Sequence, residues 1–185
     1  MTYKTIIKWT FHSLFLLILL QARGQEKVNV VTAEKELRGM NPDTLRVNRL
    51  LELSEALRTS DPKTDTNTNK AIAYVREALA ISQKLKFQKG IGTAYLFYSR
   101  MEQDRHDYKK TLYFAQKAIG FFSAIKEYDL LGEAQVMQWS ASTLSQHPVE
   151  ERILLLSKAA SSFEKAGNKS RQGELHERDG RPVSI

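Results

Sequence analysis

Side chains able to do acid, base, nucleophilic or metal chemistry are few in this chain, and badly spaced for it. There are four histidines and no cysteine. His12 lies in an apolar N-terminal run, His106 in the polar turn Asp104-Arg105-His106-Asp107, and His147 beside Pro148 at a helix boundary. A metal site needs several donors brought together by regular spacing. None of these histidines has a second ligand so placed, so neither a metal nor a cofactor is expected. His176-Glu177 is followed by Arg178-Asp179-Gly180, where a phosphoacceptor box would carry an aliphatic residue, a base and Thr-Pro or Asn-Pro. A nucleophile elbow, a Gly-rich phosphate loop, an HExxH motif and a placed carboxylate pair are all missing. The inventory points away from an enzyme, with no catalytic residue and no small-molecule substrate in evidence.

Charge excludes a second class. The formal net charge is +7, and removing the three cations Lys4, Lys8 and Arg23 of the N-terminal segment from it leaves +4. Nucleic-acid binding requires a concentrated basic face. Here Lys and Arg are interleaved with Glu and Asp, with no stripe of cations beside aromatic stacking partners, so nucleic acid is not an expected partner.

The segments between are helical in period. Hydrophobic residues make up 42% of the chain, enough for a core, and alternating β-branched runs are absent apart from Val28–Val31. In the central stretch, Ile91, Ala94, Tyr95, Tyr98 and Met101 fall on one face of a helix over Lys89–Gln103. Asp107 is placed to cap a second helix over Tyr108–Lys126. Its buried stripe reads Tyr108, Thr111, Leu112, Ala115, Ala118, Ile119 and Phe122. Small residues at 111, 115 and 118 let a neighbouring helix approach closely.

Further helices are expected over Asp43–Arg58, opened by Asn41-Pro42, and over Asn69–Lys86, after the turn-rich loop Ser60–Thr68. Their inward residues are Val47, Leu50, Leu53, Ser54 and Leu57, then Ala71, Ile72, Val75, Ala78, Leu79, Ser82 and Leu85. Downstream, Asp129 caps a helix to Ser145 with Leu130, Ala134, Met137, Ala141 and Leu144 inward, and His147-Pro148 ends it. Glu150 and Glu151 open a helix to Ala166, as the dipole favours, and Gly167-Asn168 stops it. Ser170–Glu177 reads as the opening of one more unit, cut short by Asp179-Gly180-Arg181-Pro182.

The central pair recurs. Gly90 is followed by Gly132 and Gly173, at offsets of 42 and 41 residues. The ridge Thr111, Leu112, Ala115, Ala118 is echoed upstream by Ala71, Ile72, Val75, Ala78 and downstream by Ile153, Leu154, Ser157, Ala160, with Phe121 echoed by Phe163. With Tyr95, Tyr98-Ser99 and Asp107-Tyr108 in the best unit, the chain resembles the tetratricopeptide repeat (TPR) family in its variant of about 40 residues per helix pair. Thr111 stands at the first Ala position of the family pattern, Ala115 at the aromatic and Ala118 at the second Ala. Ser99 and Ala141 replace the helix-packing glycine, and the closing proline is missing. The resemblance spans residues 43–177. It implies an all-α fold, an antiparallel helix-pair solenoid of about three repeats.

It also implies a groove lined by the first helix of each pair, open to a protein or peptide. The lining positions carried over are Asn48, Leu51, Glu55 and Arg58, then Thr93, Leu96, Arg100 and Gln103, then Gln135, Gln138, Ser142 and Ser145. Arg100 would hold a carboxylate by charge-assisted hydrogen bonds. The flank of the last full unit, with Leu155 and Phe163, is a candidate surface for self-association.

The N-terminus reads as an export signal. Lys4 and Lys8 precede the apolar core Phe11–Leu20, and Ala22 and Gly24 fit cleavage before Gln25. The core is shorter than the about 20 residues that span a bilayer, which favours cleavage over a retained anchor. The absence of cysteine rules out a lipoprotein anchor and suits a bacterial periplasm. The expected organisation is a signal peptide over residues 1–24, a flexible leader over 25–40, the TPR-like domain over 41–169, and a truncated repeat or disordered tail over 170–185. The expected role is an exported, non-enzymatic protein-protein interaction module. It is similar to the extracytoplasmic modules of bacterial signal-transduction sensors. The alternative is a free periplasmic scaffold that assembles envelope proteins.

Overall fold

Turns in this chain come at a fixed interval. Lys86, His106, Lys126 and Gln146, each twenty residues after the last, all adopt a left-handed backbone with φ of 53–61°, and Gly167 follows at φ 72°. At each one the next residue donates its N–H back to the carbonyl five positions earlier: Phe87 to Ser82 at 2.9 Å, Asp107 to Glu102 at 2.9 Å, Glu127 to Phe122 at 3.1 Å, His147 to Ser142 at 3.0 Å and Asn168 to Phe163 at 2.9 Å. This hydrogen bond, with its left-handed residue, closes a helix and satisfies carbonyls its end would otherwise orphan. Only Gly167 carries the residue type that marks such a stop in sequence.

The computed structural model describes residues 30–60 and 65–178. All regular structure among them is helical: α1 Val30–Leu37, α2 Thr44–Ser60, α3 Asp65–Lys84, α4 Gln88–Asp104, α5 Tyr108–Ile125, α6 Tyr128–Leu144, α7 Val149–Ala166 and α8 Lys169–Arg178. The expected signal peptide over 1–24 lies outside the described residues.

Each helix packs on the next, as loops of two to four residues dictate from α3 onward. In addition α2 packs on α4 and α4 on α6, whereas α3 and α5 do not meet, nor do α5 and α7. The first helices of successive pairs therefore stand side by side, and the second helices are splayed apart. Three core clusters follow one another along the chain: one from Ala33 and Leu37 of α1 to Met101 of α4, one around Leu96 and Phe122, and one around Phe163 and Leu175 at the C-terminal end.

Local chemistry sets the helix starts. Asp107 Oδ1 accepts the Lys110 N–H at 3.1 Å, the cap expected of it. Asp43, not Asn41, caps α2 by accepting the Arg46 N–H at 2.9 Å. Asp129 does not cap α6. It sits in the first turn, behind the N-cap residue Glu127. Helix α3 starts at Asp65, one turn before the expected Asn69.

The leader expected to be flexible over 25–40 contains helix α1. Ala33 and Leu37 are buried, Glu34 accepts a hydrogen bond from the Tyr74 hydroxyl at 2.8 Å, and Arg46 reaches back to the carbonyls of Leu37 and Met40. The segment is polar in composition, but Ala33 and Leu37 stand four apart on one face, which suffices for docking. At the other end, residues 169–178 of the expected truncated repeat form α8, which covers Phe163 with Leu175.

Leu85 and Leu144, expected inward, are exposed, because Leu85 lies just past the end of α3 and Leu144 is the last residue of α6. In α7 the expected ridge is out by one residue. Leu155, Leu156, Ala159 and Phe163 are buried, whereas Ile153 and Leu154 face out at 47% and 54% exposure. The Ser145–Pro148 connection is one residue longer than Arg105–Asp107, which sets α7 41 residues after α5 and not the expected 42, so Phe163 matches Phe122 and not Phe121.

Candidate functional site

Close packing of α4 on α5 and of α6 on α7 is set by glycine and phenylalanine. A Cβ on Gly92 would stand 2.8 Å from the Phe122 ring, and one on Gly132 would stand 2.8 Å from the Phe163 ring. Gly92, not Gly90, is therefore the partner of Gly132, and the true offset between α4 and α6 is 40. Buried serines supplement this contact: Ser54 Oγ donates to the Ala71 carbonyl at 3.1 Å, and Ser99 Oγ to the Thr111 carbonyl at 2.9 Å. The matching bonds align Ser54 with Ser99.

On this frame the expected groove residues of α2 and α4 correspond: Asn48 with Thr93, Leu51 with Leu96, Glu55 with Arg100, Arg58 with Gln103. Those expected from α6 do not. The repeat alignment anchored on Gly90 is two residues out there, and two residues turn a helix by about 200°. Gln135 and Gln138 consequently align with Tyr95 and Tyr98, on the other side of the helix. Gln135 Oε1 accepts a hydrogen bond from Ser162 Oγ of α7 at 2.7 Å. The residues of α6 that meet α4 are Glu133 and Ser140. Leu51, Leu96 and Ser142 are buried and unavailable to any partner, and Ser145 sits exposed at the end of α6. Leu155 and Phe163 are also buried, which removes the self-association flank assigned to them.

Polar residues on the first-helix face pair among themselves. Arg100 stands 3.5 Å from Glu55 of α2 and 3.5 Å from Glu133 of α6. Glu133 is also bound by Arg171 of α8 at 2.8 Å. Arg58 grips Glu55 through two hydrogen bonds of 2.9 Å and reaches Asp104 of α4 at 2.8 Å. The result is an alternating ladder, Glu55–Arg100–Glu133–Arg171, with one rung from each of the four first helices.

Burial pushes the Glu55 carboxyl up, but hydrogen bonds from Arg58 and the charges of Arg58 and Arg100 outweigh it and hold the group below its usual range. Arg58 is held above its usual value, chiefly by the Glu55 hydrogen bonds. Arg100 therefore already has two carboxylates, and a partner's carboxylate would have to displace one. Beside the ladder, Gln103 donates to Ser140 at 3.1 Å, while Asn48 and Thr93 remain open.

A second constellation, which sequence reasoning missed, lies on the opposite side of α4. Four rings stack in series: Phe121 on Tyr95 at 5.9 Å, Tyr95 on Phe114 at 6.3 Å, and Phe114 on Tyr98 at 5.2 Å. Tyr113 meets Phe114 edge-on at 5.2 Å, and the Lys117 ammonium stands 5.5 Å over the Tyr113 ring. At the far end, the guanidinium of Arg76 on α3 stands beside the Tyr98 hydroxyl. Burial pushes that phenol up and Arg76 opposes it in part. The strip spans the opening between α3 and α5, with α4 as its floor. Its signal in the sequence is the density of aromatics at 95–98, 113–114 and 121: the helical period assigns Tyr95 and Tyr98 to the core and leaves Tyr113, Phe114 and Phe121 off the buried stripe of α5.

Among the described residues no group of three or more His, Cys, Asp or Glu side chains could hold a metal ion, and no helix is long and apolar enough to cross a membrane. No protein-family model, curated protein or solved structure matches the chain.

Proposed function

We propose that this chain is an exported, non-enzymatic protein-interaction scaffold of tetratricopeptide type, a short solenoid that offers its surfaces to a protein or peptide partner. The observation that carries this reading is the repeated glycine–phenylalanine contact at Gly92–Phe122 and Gly132–Phe163, together with turns every twenty residues. Units that recur at this interval, each leaning on its neighbours, build extended surfaces suited to binding. Export and cleavage before Gln25 belong to the same proposal, as does a place in a bacterial envelope sensor. The polar face of the first helices, with Asn48 and Thr93 open between charged rungs, is its first contact surface.

The test is affinity capture. Protein beginning at Gln25 is immobilised and exposed to envelope extract, beside a variant carrying Asn48→Arg and Thr93→Arg. The expected result is a protein retained by the wild type and reduced at least tenfold by the variant. Retention of nothing beyond the resin background would overturn the scaffold reading. Equal retention by both would move the contact off the first-helix face. Expression with the native N-terminus, followed by N-terminal sequencing, tests export: the mature chain should start at Gln25.

A further inference from the structure

Two cations bound the aromatic strip, Arg76 on α3 and Lys117 on α5. Neither forms an ion pair with a carboxylate among the described residues. Their counterparts on the first-helix face, Arg58, Arg100 and Arg171, are all held by carboxylates. Glu77 of α3, Glu102 of α4 and Asp107 at the start of α5 are engaged elsewhere, with Arg46, Arg105 and Lys110. The strip is thus a place where positive charge and stacked aromatic surface coincide with no ion pair to neutralise them.

Its rings are also open to contact. Tyr113 is 54% exposed, and Tyr95, Tyr98, Phe114 and Phe121 are half-buried. Along the facing edge of α3, Ala73 and Ala80 flank Arg76 and are exposed, so little side-chain bulk fills the opening. No other pair builds this surface. At the corresponding positions of α6 and α7, Gln135 and Ser162 bond each other where Tyr95 and Phe121 stack. In the first pair, Tyr74 stands where Phe114 does and is covered by Glu34 of α1. That contact already shows a carboxylate-bearing segment seated on an aromatic of a second helix.

We propose that the Arg76–Tyr98–Phe114–Tyr113–Lys117 strip between α3 and α5 is a docking site for an acidic peptide segment that carries aromatic side chains. The carboxylates of such a segment would meet Arg76 and Lys117, and its rings would pack on the exposed edges of Tyr113 and Phe114. The strip runs from Arg76 of α3 across α4 to α5, between two helices that do not meet, which suits an extended chain better than a flat lipid surface. The proposal deepens the scaffold reading by naming the surface and the partner's chemistry.

The experiment is fluorescence anisotropy on the chain from Gln25 to Ile185. The probe is a fluorescein-labelled peptide alternating Glu with Phe. A Glu–Ser peptide and a Lys–Phe peptide serve as controls, and vesicles of anionic phospholipid form a separate arm. The expected result is saturable binding of the Glu–Phe probe, at least tenfold weaker for the Glu–Ser control and for the variants Arg76→Glu and Tyr113→Ala, with no binding of Lys–Phe. Both variant sites are exposed, so circular dichroism should show unchanged folding. Unchanged affinity in both variants, equal binding of Glu–Ser, preferential binding of the vesicles, or no binding at all would overturn the proposal. Because this readout needs no natural partner, its failure is distinct from failure of the envelope capture.

Discussion

Phe163 lies against Gly132 so closely that a Cβ there would stand 2.8 Å from two carbons of its ring. Phe163 is fully buried and has no room to retreat. The same relation holds between Gly92 and Phe122, and it fixes how near α4 comes to α5 and α6 to α7.

Replacing Gly132 by alanine should therefore destabilise the fold. The gain in helix propensity is about 1 kcal/mol, but overpacking a filled core costs about 1–3 kcal/mol. Gly120 is also helical, and a methyl group added there would meet nothing within 4 Å. Gly120→Ala should stabilise by up to ~1 kcal/mol. Urea titrations of the two variants should shift in opposite directions.

Left-handed turns make a second prediction. Lys86, Lys126 and Gln146 are exposed and hold a φ that costs a side chain about 1–2 kcal/mol. Glycine removes that cost, although its freer unfolded chain returns roughly 0.4–1 kcal/mol. Lys126→Gly should raise the midpoint of thermal unfolding by a few degrees, and the triple variant should raise it further.

Two buried serines should behave oppositely. Ser99 donates to the Thr111 carbonyl, so Ser99→Ala should cost about 1 kcal/mol. Ser82 is equally buried, but its hydroxyl has no protein partner. Ser82→Ala removes an unsatisfied group and should be neutral or stabilising by up to ~1 kcal/mol. Chemical denaturation of the pair checks both.

The ladder predicts a pH dependence. The Glu55 carboxyl is held below its ordinary value in the folded chain. A depressed carboxylate contributes stability that is present above its unfolded pKa, about 4.3. That contribution is lost as pH falls through the lower folded value. Glu55→Gln should be less stable than wild type at neutral pH, and the gap should narrow steadily below about pH 4. A gap unchanged between neutral and acid conditions would mean that Glu55 carries no linked charge.

Docking of α1 should depend on Arg46, which bonds the Leu37 and Met40 carbonyls and pairs with Glu77. Arg46→Ala should strip amide-exchange protection from residues 30–37 while leaving α4–α7 protected. Loss of protection throughout would show that α1 is integral to the core, not a separately docked helix.

Composition and period alone determined that the chain is helical and repeats at about 40 residues, because the stripe Thr111, Ala115, Ala118, Phe122 matches one helical face and no other. The same reasoning located the acidic start of α7 and the stop at Gly167. It could not fix the faces of α6 and α7. Ile153-Leu154-Leu155-Leu156 is an unbroken apolar run, so its period is silent about which two residues turn inward, and two glycines two residues apart, Gly90 and Gly92, both fit the repeat. Only tertiary packing chose, by placing the Phe122 ring on Gly92 and not on Gly90. That choice rotated α6 by about 200° from the expected register, brought Glu133 to Arg100, and put Gln135 on the far side. The left-handed turns at Lys86, His106, Lys126 and Gln146 were likewise hidden, because residues other than glycine adopt them only when the helices on both sides are held in place by their packing.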